Sequence, residues 1–102
     1  MSTPKFIRDV LDAYKKTGLK PRQCTYYHRG NACPLGVLAK LENPKIRACH
    51  IYDWAEKKFG KDFCSDVTDG FDYYIPGSKI IGSRGQIYGR FLAKKLIGPN
   101  GM

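Results

Sequence analysis

The stretch RQCTYYHRGNACPLGVLAKL, residues 22–41, decides the fold, because a β-type segment, a turn and a helix start follow one another inside it. Residues 23–28 are rich in β-forming side chains, and Arg29-Gly30-Asn31 tolerates the positive φ angles of a tight turn. Pro34 suits the first turn of a helix that we expect to run to about the end of the stretch. The pattern predicts a short β-hairpin over about residues 23–33. So short a ribbon is not stable alone, so it must pack on helices.

Four further segments of the chain repeat apolar residues at helical spacing. They are the segment before Gly18, residues 44–59, residues 62–69 with a break at Gly70, and residues 84–97 after the cap Ser83. Gly85, Gly89 and Ala93 share one stripe of the last segment, which predicts a closely packed helix neighbour. The expected fold is α+β, mainly α, with about five helices around a single core and one short β-hairpin. We expect one globular domain over residues 1–102.

The chain carries 18 Lys and Arg residues against nine Asp and Glu residues, a formal net charge of +9 at pH 7. A field of that sign favours polyanions, so the expected partner is nucleic acid or an acidic protein surface. No apolar run approaches the roughly 20 residues that span a bilayer, and the amphipathic start of the chain lacks the apolar segment of an export signal. We therefore expect no membrane association and a cytoplasmic protein.

Cations and aromatic rings share faces in three parts of the chain, a pattern typical of nucleic-acid and protein interfaces. On the helix expected at residues 44–59, the lone tryptophan Trp54 falls among cations three and four residues away. The expected hairpin tip and the last helix repeat the combination. The alternative is a Trp54 buried at a helix crossing and lysines that only coat the surface. The predicted binding residues are Tyr26, Tyr27, Arg29, Arg47, His50, Trp54, Lys57, Lys58, Arg84, Arg90 and Lys94.

A zinc-stabilised interaction module is an alternative function. Cys24, His28 and Cys33 place three zinc-type ligands within ten residues, and Cys49 could supply a fourth. The cysteines include no CxxC pair, however, and zinc ribbons and knuckles use ligands paired in that way. Without a secretory signal, we expect reduced thiols packed as small hydrophobic residues, and no metal or other cofactor.

A thiol-dependent enzyme is a further alternative. If Pro34 is the first helical residue, Cys33 is the helix N-cap, and its sulfur faces unpaired backbone N–H groups that lower a thiol pKa. His28, across the expected hairpin, could then act as the base for Cys33. No Asp, Asn or Gln is placed to orient His28, so the sequence favours a protein that is not an enzyme.

Four carboxylates, Asp62, Asp66, Asp69 and Asp72, fall within eleven residues and could hold a divalent cation. They lack the ligand order and the final glutamate of an EF-hand loop. Carboxylates near a helix start interact favourably with the helix dipole, and Asp69 before Gly70 is typical of a turn. We therefore expect structural roles for these acids, which leaves the remaining surface still more basic.

Two segments stand out together. The first is the hairpin segment that runs into CPLGVLA, residues 33–39; the second is Gly70-Phe71-Asp72, followed by a helix that contains Gly89 and Ala93. Together they resemble a pattern in small uncharacterised bacterial and phage or mobile-element proteins. The resemblance implies a bacterial accessory protein rather than a housekeeping enzyme. It implies no known activity and assigns no role to any residue.

The expected function is that of a small basic binding protein that recognises a polyanion through the predicted binding residues. Its cations would neutralise phosphates or carboxylates, and Trp54, Tyr26 and Tyr27 would stack on bases or anchor a protein surface. Nucleic acid and an acidic protein surface both stay open as partners. The sequence does not give the oligomeric state.

Overall fold

The secondary structure follows the apolar periodicity of the sequence. The computed structural model describes residues 3–98, so the predicted domain ends at residues 1 and 102 lie outside the described residues. The elements are α1 (Lys5–Thr17), β1 (Lys20–Pro21), β2 (Asn31–Ala32), α2 (Pro34–Glu42), α3 (Ala48–Phe59), α4 (Lys61–Asp72) and α5 (Arg84–Leu96). The mainly α, α+β class that the sequence predicts is confirmed.

Caps fix the ends of three helices at predicted positions. α5 begins at a capping box, in which the Ser83 hydroxyl accepts the Gln86 amide at 3.2 Å and the Gln86 side chain accepts the Ser83 amide at 3.0 Å. α1 ends at Gly18, which takes the left-handed conformation with φ 73°. α2 begins directly after Cys33, the predicted N-cap.

The two strands pair in parallel over two residues each, with Lys20 opposite Asn31 and Pro21 opposite Ala32. This pairing differs from the antiparallel hairpin predicted over residues 23–33. The sheet is minimal, and its function is to place the end of α1 beside the start of α2.

The predicted tight turn is present within the same segment. His28 and Asn31 exchange backbone hydrogen bonds of 2.8 and 3.0 Å, with positive φ angles at Arg29 (49°) and Gly30 (84°). Two consecutive positive φ angles are the geometry of a type I′ turn. The part of the hairpin that forms is one antiparallel bridge, between His28 and Asn31, and a 3.1 Å hydrogen bond from the Cys33 amide to the Thr25 carbonyl oxygen.

Tertiary hydrogen bonds explain why the chain before the turn is not a strand. The Gln23 side-chain amide donates to the carbonyl oxygens of Phe71 and Tyr74 at 2.8 and 2.9 Å. The Cys24 backbone amide donates to Asp72 Oδ1 at 2.9 Å. These bonds bend the chain onto the end of α4, so tertiary contacts override the local β preference of the sequence.

Two helix boundaries differ from the prediction. α3 begins at Ala48 rather than Pro44, because the Asn43 side chain accepts the Lys45 amide at 3.3 Å and holds the chain in a turn. α4 runs on to Asp72 through Gly70, which the sequence predicts as a break.

α4 continues through Gly70 instead of ending there. A glycine is needed at this position because α5 lies directly against it. A Cβ atom on Gly70 would lie 2.5 Å from the Gln86 carbonyl oxygen of α5. A Cβ atom on Gly85 would lie 2.7 Å from the Cβ of Asp66, and one on Gly89 would overlap the Val67 carbonyl oxygen. The predicted close neighbour of the glycine stripe on α5 is therefore α4.

Every helix contributes side chains to one hydrophobic core. Its fully buried members include Val10, Leu35, Val37, Ala55, Cys64, Phe71 and Leu92. The Tyr14 hydroxyl donates a buried 2.6 Å hydrogen bond to the Ala32 carbonyl oxygen, which fixes α1 to β2. Among the described helices, none is long and apolar enough to cross a membrane.

Gly89→Ala tests the contact between α4 and α5. We expect the free energy of unfolding to fall by about 1–3 kcal/mol, because the new methyl group overpacks against the Val67 carbonyl. An exposed helical glycine would respond in the opposite sense, since alanine is favoured there by about 1 kcal/mol. Urea unfolding followed by circular dichroism measures the change.

The matched control for Gly89→Ala is Lys94→Ala, at an exposed position of the same helix. Its unfolding free energy should stay within about 0.5 kcal/mol of the unsubstituted protein. A Gly89→Ala variant that is as stable as the control would show that the two helices do not meet at this glycine.

Candidate functional site

A set of cations lies near the ring of Tyr27: Lys16 and Lys40 line a hollow with the ring, and Lys20, Arg29 and Lys45 lie on neighbouring segments of the chain. This Tyr27 patch consists of Tyr27, Lys16, Lys20, Arg29, Lys40 and Lys45. Lys16 lies in the last turn of α1 and Lys40 in the last turn of α2. With Tyr27 they line a hollow of about 330 Å³, whose other lining residues are Thr17, Leu19, Leu41 and Pro44. That volume lies at the lower end of the range of about 300–1,000 Å³ for small-ligand sites.

The strand, the turn and the segment after α2 supply the other cations of the patch. The Lys20 amide of β1 donates a 2.9 Å hydrogen bond into the turn that carries Arg29, so these two residues are neighbours. Lys40 Nζ donates to the Pro44 carbonyl oxygen at 3.3 Å, which brings Lys45 alongside. Lys40 is half-buried, whereas the other four cations are exposed.

The patch belongs to a part of the chain with almost no acid. Residues 13–52 contain eight Lys and Arg residues and a single acid, Glu42. Glu42 accepts hydrogen bonds from Lys58 and Trp54 of α3, which lower its pKa, so its charge is directed to α3. The positive charge of the patch is thus largely uncompensated.

Within the patch, Tyr27 carries a cation at its face. Lys40 Nζ lies 4.2 Å from the centre of the Tyr27 ring, a cation–π contact. No carboxylate lines the hollow. Lys16 pairs with Asp12 at 2.9 Å across one turn of α1, an exposed pair that contributes little to stability and exchanges readily for another anion.

A second surface, the aromatic groove, is formed by half-buried rings from four helices. The rings are those of Phe6, Trp54, Phe59, Phe63 and Tyr88. Phe6 meets Phe59 and Phe63 edge-on, with ring centres 5.5 and 5.1 Å away, and lies 6.0 Å from Tyr88. Two hollows of about 460 and 480 Å³ adjoin along these rings and share Phe6 and Phe59.

The charged groups at the edge of the groove are partly paired. Lys5 bonds Asp9 at 2.7 Å, and Lys58 bonds Glu42. Arg84 lies over the Phe63 ring at 5.4 Å and makes no ion pair within the described residues. The groove is therefore aromatic at its centre and mixed in charge at its edge, unlike the uniformly positive Tyr27 patch.

The structure divides the eleven predicted binding residues among several places. Tyr27 and Arg29 belong to the Tyr27 patch, and Trp54, Lys58 and Arg84 belong to the aromatic groove. The residues exposed on or beside α3 and α5 but outside both surfaces are Arg47, His50, Lys57 and Lys94.

Tyr26 and Arg90, also predicted to bind a partner, have internal contacts. The Tyr26 ring packs near Tyr52, and its carbonyl oxygen occupies the space that a side chain at Gly36 would need. Arg90 donates to the carbonyl oxygens of Ile81 and Lys79, which holds the loop before α5. The tryptophan is half-buried, between the exposed and the buried alternatives, and its indole N–H donates to Glu42.

All four lysines of the Tyr27 patch are absent from the predicted binding residues. Lys16, Lys20, Lys40 and Lys45 come from four separate segments, and only the folded chain brings them together. A countable signal was nevertheless present, because residues 13–41 contain six cations and no acid. The polar faces of single helices do not reveal this excess of cations, because most of these residues lie at helix ends and in loops.

The zinc ligand set predicted as an alternative, Cys24, His28, Cys33 and Cys49, is wrong. Within residues 3–98, no three His, Cys, Asp or Glu side chains gather in a way that could hold a metal ion. Cys24 and Cys49 are exposed, whereas Cys33 is buried in the core. The bends at Gln23 and Cys24 replace the hairpin that would have aligned the ligands.

The thiol-enzyme alternative loses its chemical basis. Cys33 is the N-cap of α2, and its sulfur accepts the Gly36 amide at 3.5 Å. Even so, burial raises the pKa of the Cys33 thiol to about 12, opposite to the predicted lowering, because loss of hydration outweighs the helix terminus. The thiol is 4% exposed and neutral at pH 7, and His28 lies at the exposed turn.

Two of the four acids of α4, Asp66 and Asp72, have the structural role that the sequence predicts for this group. Asp66 accepts the Ser83 hydroxyl at 2.8 Å, which joins α4 to the cap of α5. Asp72 accepts the Cys24 amide, which joins α4 to the segment before the turn. The predicted turn at Asp69-Gly70 is wrong, since both residues are helical.

No protein-family model matches this chain, and neither a curated protein nor a solved structure is detectably similar to it. The resemblance to small bacterial and mobile-element proteins therefore stays a prediction.

Thiol labelling tests the burial of Cys33. Iodoacetamide at mildly alkaline pH should modify the exposed Cys24 and Cys49 in the folded protein. Cys33 and Cys64 should react only after unfolding, because burial raises their pKa values to about 12 and about 11. Peptide mass spectrometry reads the sites, and labelling in urea is the control. Rapid labelling of Cys33 in the folded protein would restore the thiol-enzyme hypothesis.

Proposed function

We propose that this protein binds nucleic acid through the Tyr27 patch. The observation that supports the proposal is the eight-to-one excess of Lys and Arg over acid in residues 13–52, two of whose cations line a hollow with the Tyr27 ring while three more lie on neighbouring segments. Cations beside an accessible ring are the combination with which proteins bind single-stranded nucleic acid.

Each group of the patch has a chemical role in this proposal. The exposed cations Lys20, Arg29 and Lys45 neutralise phosphates and release their counterions. The ring of Tyr27 stacks on a base that enters the hollow between α1 and α2. Lys40, held over that ring, adds a positive charge next to the stacked base. Asp12 releases Lys16 when a phosphate approaches, because their exposed pair is weak.

A nucleic-acid partner suits the patch better than an acidic protein does. The hollow beside the ring contains Leu19, Leu41 and Pro44, but the rest of the patch consists of cations, whereas the centre of an interface between proteins is depleted of charged residues. Phosphate contacts require only charge and donors, which the patch supplies. The proposed ligand is single-stranded, because a base inside a duplex cannot reach a ring in a hollow.

Salt dependence tests the role of the patch cations. The doubly substituted variant Lys20→Glu/Arg29→Glu should bind a single-stranded oligonucleotide more weakly at every salt concentration. The slope of log K against log salt should shrink by about 0.7 for each cation that contacts a phosphate. Fluorescence anisotropy with a labelled oligonucleotide measures both.

The matched control is Lys94→Glu/Lys95→Glu, with the same change in net charge on exposed positions of α5. This control variant should keep most of the slope of log K against log salt. Equal losses in the two variants would mean that the protein acts only through its net charge, and the site at Tyr27 would be excluded.

Tyr27→Leu tests stacking separately from charge. Leucine keeps apolar contact with the hollow but offers no ring, so affinity for the oligonucleotide should fall by about 1–3 kcal/mol, the typical contribution of one stacked base. The salt slope should stay unchanged, because no cation is removed. Tyr73→Leu, which alters a tyrosine that is 77% exposed in the loop after α4, is the control and should bind normally.

A further inference from the structure

The Tyr27 patch and the aromatic groove are parts of one channel. The hollow beside Tyr27 and the groove hollow of about 480 Å³ both have Leu41 in their walls. The 2.9 Å salt bridge between Lys16 and Asp12 crosses the same boundary, since Lys16 lines the hollow beside Tyr27 and Asp12 lines the groove hollow. The groove hollow of about 460 Å³ continues the channel beyond two shared rings. The three hollows therefore adjoin in series.

Helix α1 forms one wall along the whole length of this channel. Lys5, Asp9, Asp12 and Lys16 follow one another at steps of four and three residues, so they form one stripe of the helix. The stripe is about 17 Å long, at a rise of about 1.5 Å per residue. Stacked nucleotides of one strand rise about 3.4 Å each, so the stripe matches at most about five nucleotides.

Cations lie at both ends of the channel. Lys40 lines the hollow at the Tyr27 end, and Arg84 lines the hollow at the other end. Neither of these side chains forms an ion pair within residues 3–98. A strand that follows the channel therefore meets an unpaired cation at each end, where a phosphate can bind.

The middle of the channel is close to neutral. Its three carboxylates each pair with a lysine of the same channel: Asp9 with Lys5, Asp12 with Lys16, and Glu42 with Lys58. Bases carry no charge, so they suit this part of the channel better than phosphates do. Carboxylate oxygens also accept hydrogen bonds from the amino groups of bases.

Aromatic rings along the channel offer surfaces to those bases. Trp54 lines the hollow next to the Tyr27 end, and Tyr88 lines the far hollow; both rings are half-buried, so each keeps an accessible part. The planes of Phe6 and Tyr88 lie at 15° to each other, with ring centres 6.0 Å apart. Nearly parallel rings suit the parallel planes of neighbouring bases, and stacking on rings is how proteins hold a single strand without regard to its sequence.

We propose that the strand bound at Tyr27 continues along α1 to Arg84, so that one site holds up to about five nucleotides. The inference rests on the nucleic-acid function proposed above. One base stacks on Tyr27, the following bases lie against Trp54 and the rings beyond it, and Arg84 binds a phosphate at the far end. The phosphates between them face the solvent, away from the carboxylates of the middle.

The fluorescence of Trp54 tests whether a strand enters the channel, because this residue is the single tryptophan of the chain. An unlabelled oligothymidylate of about eight nucleotides should quench the emission of Trp54, since a stacked base quenches an indole. An oligothymidylate of about three nucleotides occupies the Tyr27 end, so it should bind without quenching.

The length dependence of an Arg84 variant tests the far end. Arg84→Glu should weaken the binding of the longer oligonucleotide about tenfold, because a phosphate contact is replaced by a repulsion. It should leave the shorter one unchanged, since that strand does not reach Arg84. Lys94→Glu, the same charge change at another exposed position of α5, should have an equal and small effect at both lengths. Fluorescence anisotropy with end-labelled oligonucleotides measures all combinations.

The two proposals fail in different ways. Binding of both oligonucleotides that is unaffected by Tyr27→Leu would show that the site at Tyr27 is wrong, and the channel would then have no strand to extend. Binding that depends on Tyr27, with unchanged Trp54 emission and no effect of Arg84→Glu on the longer oligonucleotide, would confine the strand to the Tyr27 patch and assign the groove to another ligand. Equal weakening by Arg84→Glu and Lys94→Glu would also exclude Arg84 as the far end of the site.

Discussion

The direct contact of backbone with backbone between α4 and α5 is the constraint on which the rest of the structure depends. At Gly70 and Gly89 no side chain separates the two helices, and carbonyl oxygens fill the space of the missing Cβ atoms; at Gly85 the Cβ of Asp66 fills that space. Phe63 and Tyr88 flank this contact and lie 6.1 Å apart, which leaves an aromatic wall that Phe6 of α1 can meet. The aromatic groove is thus a consequence of three glycines that take no part in it.

The same logic applies to the segment between α1 and α2. Its backbone lies against Gly36, where a side chain would overlap the Tyr26 carbonyl oxygen, and Tyr14 and Gln23 hold it from either side. The segment has little regular secondary structure, but its contacts with the helices hold it in a defined conformation. Such a segment can carry Tyr27 and Arg29 at defined positions, as a rigid scaffold positions functional loops. The two surfaces therefore share one frame, although they differ in charge and chemistry.

Sequence periodicity was enough for the helices and for the glycine stripe, because both depend on residues close together along the chain. It was insufficient for strand pairing: residues 23–28 have β-forming side chains, yet Gln23 finds its partners at Phe71 and Tyr74, far along the sequence. The helix break predicted at Gly70 was wrong for a related reason. A glycine that ends a helix and a glycine that allows a neighbouring helix to approach look alike in sequence. The Tyr27 patch was partly predicted through Tyr27 and Arg29, whereas its lysines come from the ends of α1 and α2, from the parallel pairing of β1 with β2 and from the turn after α2, which only the folded chain brings together. The chemistry of Cys33 required knowledge of burial, which decides the direction of its pKa shift.

The distribution of the acids along the chain explains why the net charge of +9 is concentrated on one part of the surface. Six of the nine acids fall within residues 53–72, on α3 and α4. Asp66 and Asp72 accept hydrogen bonds that fix the cap of α5 and the segment before the turn, so these carboxylates hold the fold together where they stand. Two acids lie near the Tyr27 patch in sequence: Asp12, whose exposed pair with Lys16 is weak, and Glu42, which is held by Lys58 and Trp54 on the groove side. Asp66, Asp72 and Glu42 do not neutralise the cations near Tyr27, because Asp66 and Asp72 bond the cap of α5 and the Cys24 amide, and Glu42 bonds side chains of α3. The positive field of the patch is therefore built into the fold, and it does not result from composition alone.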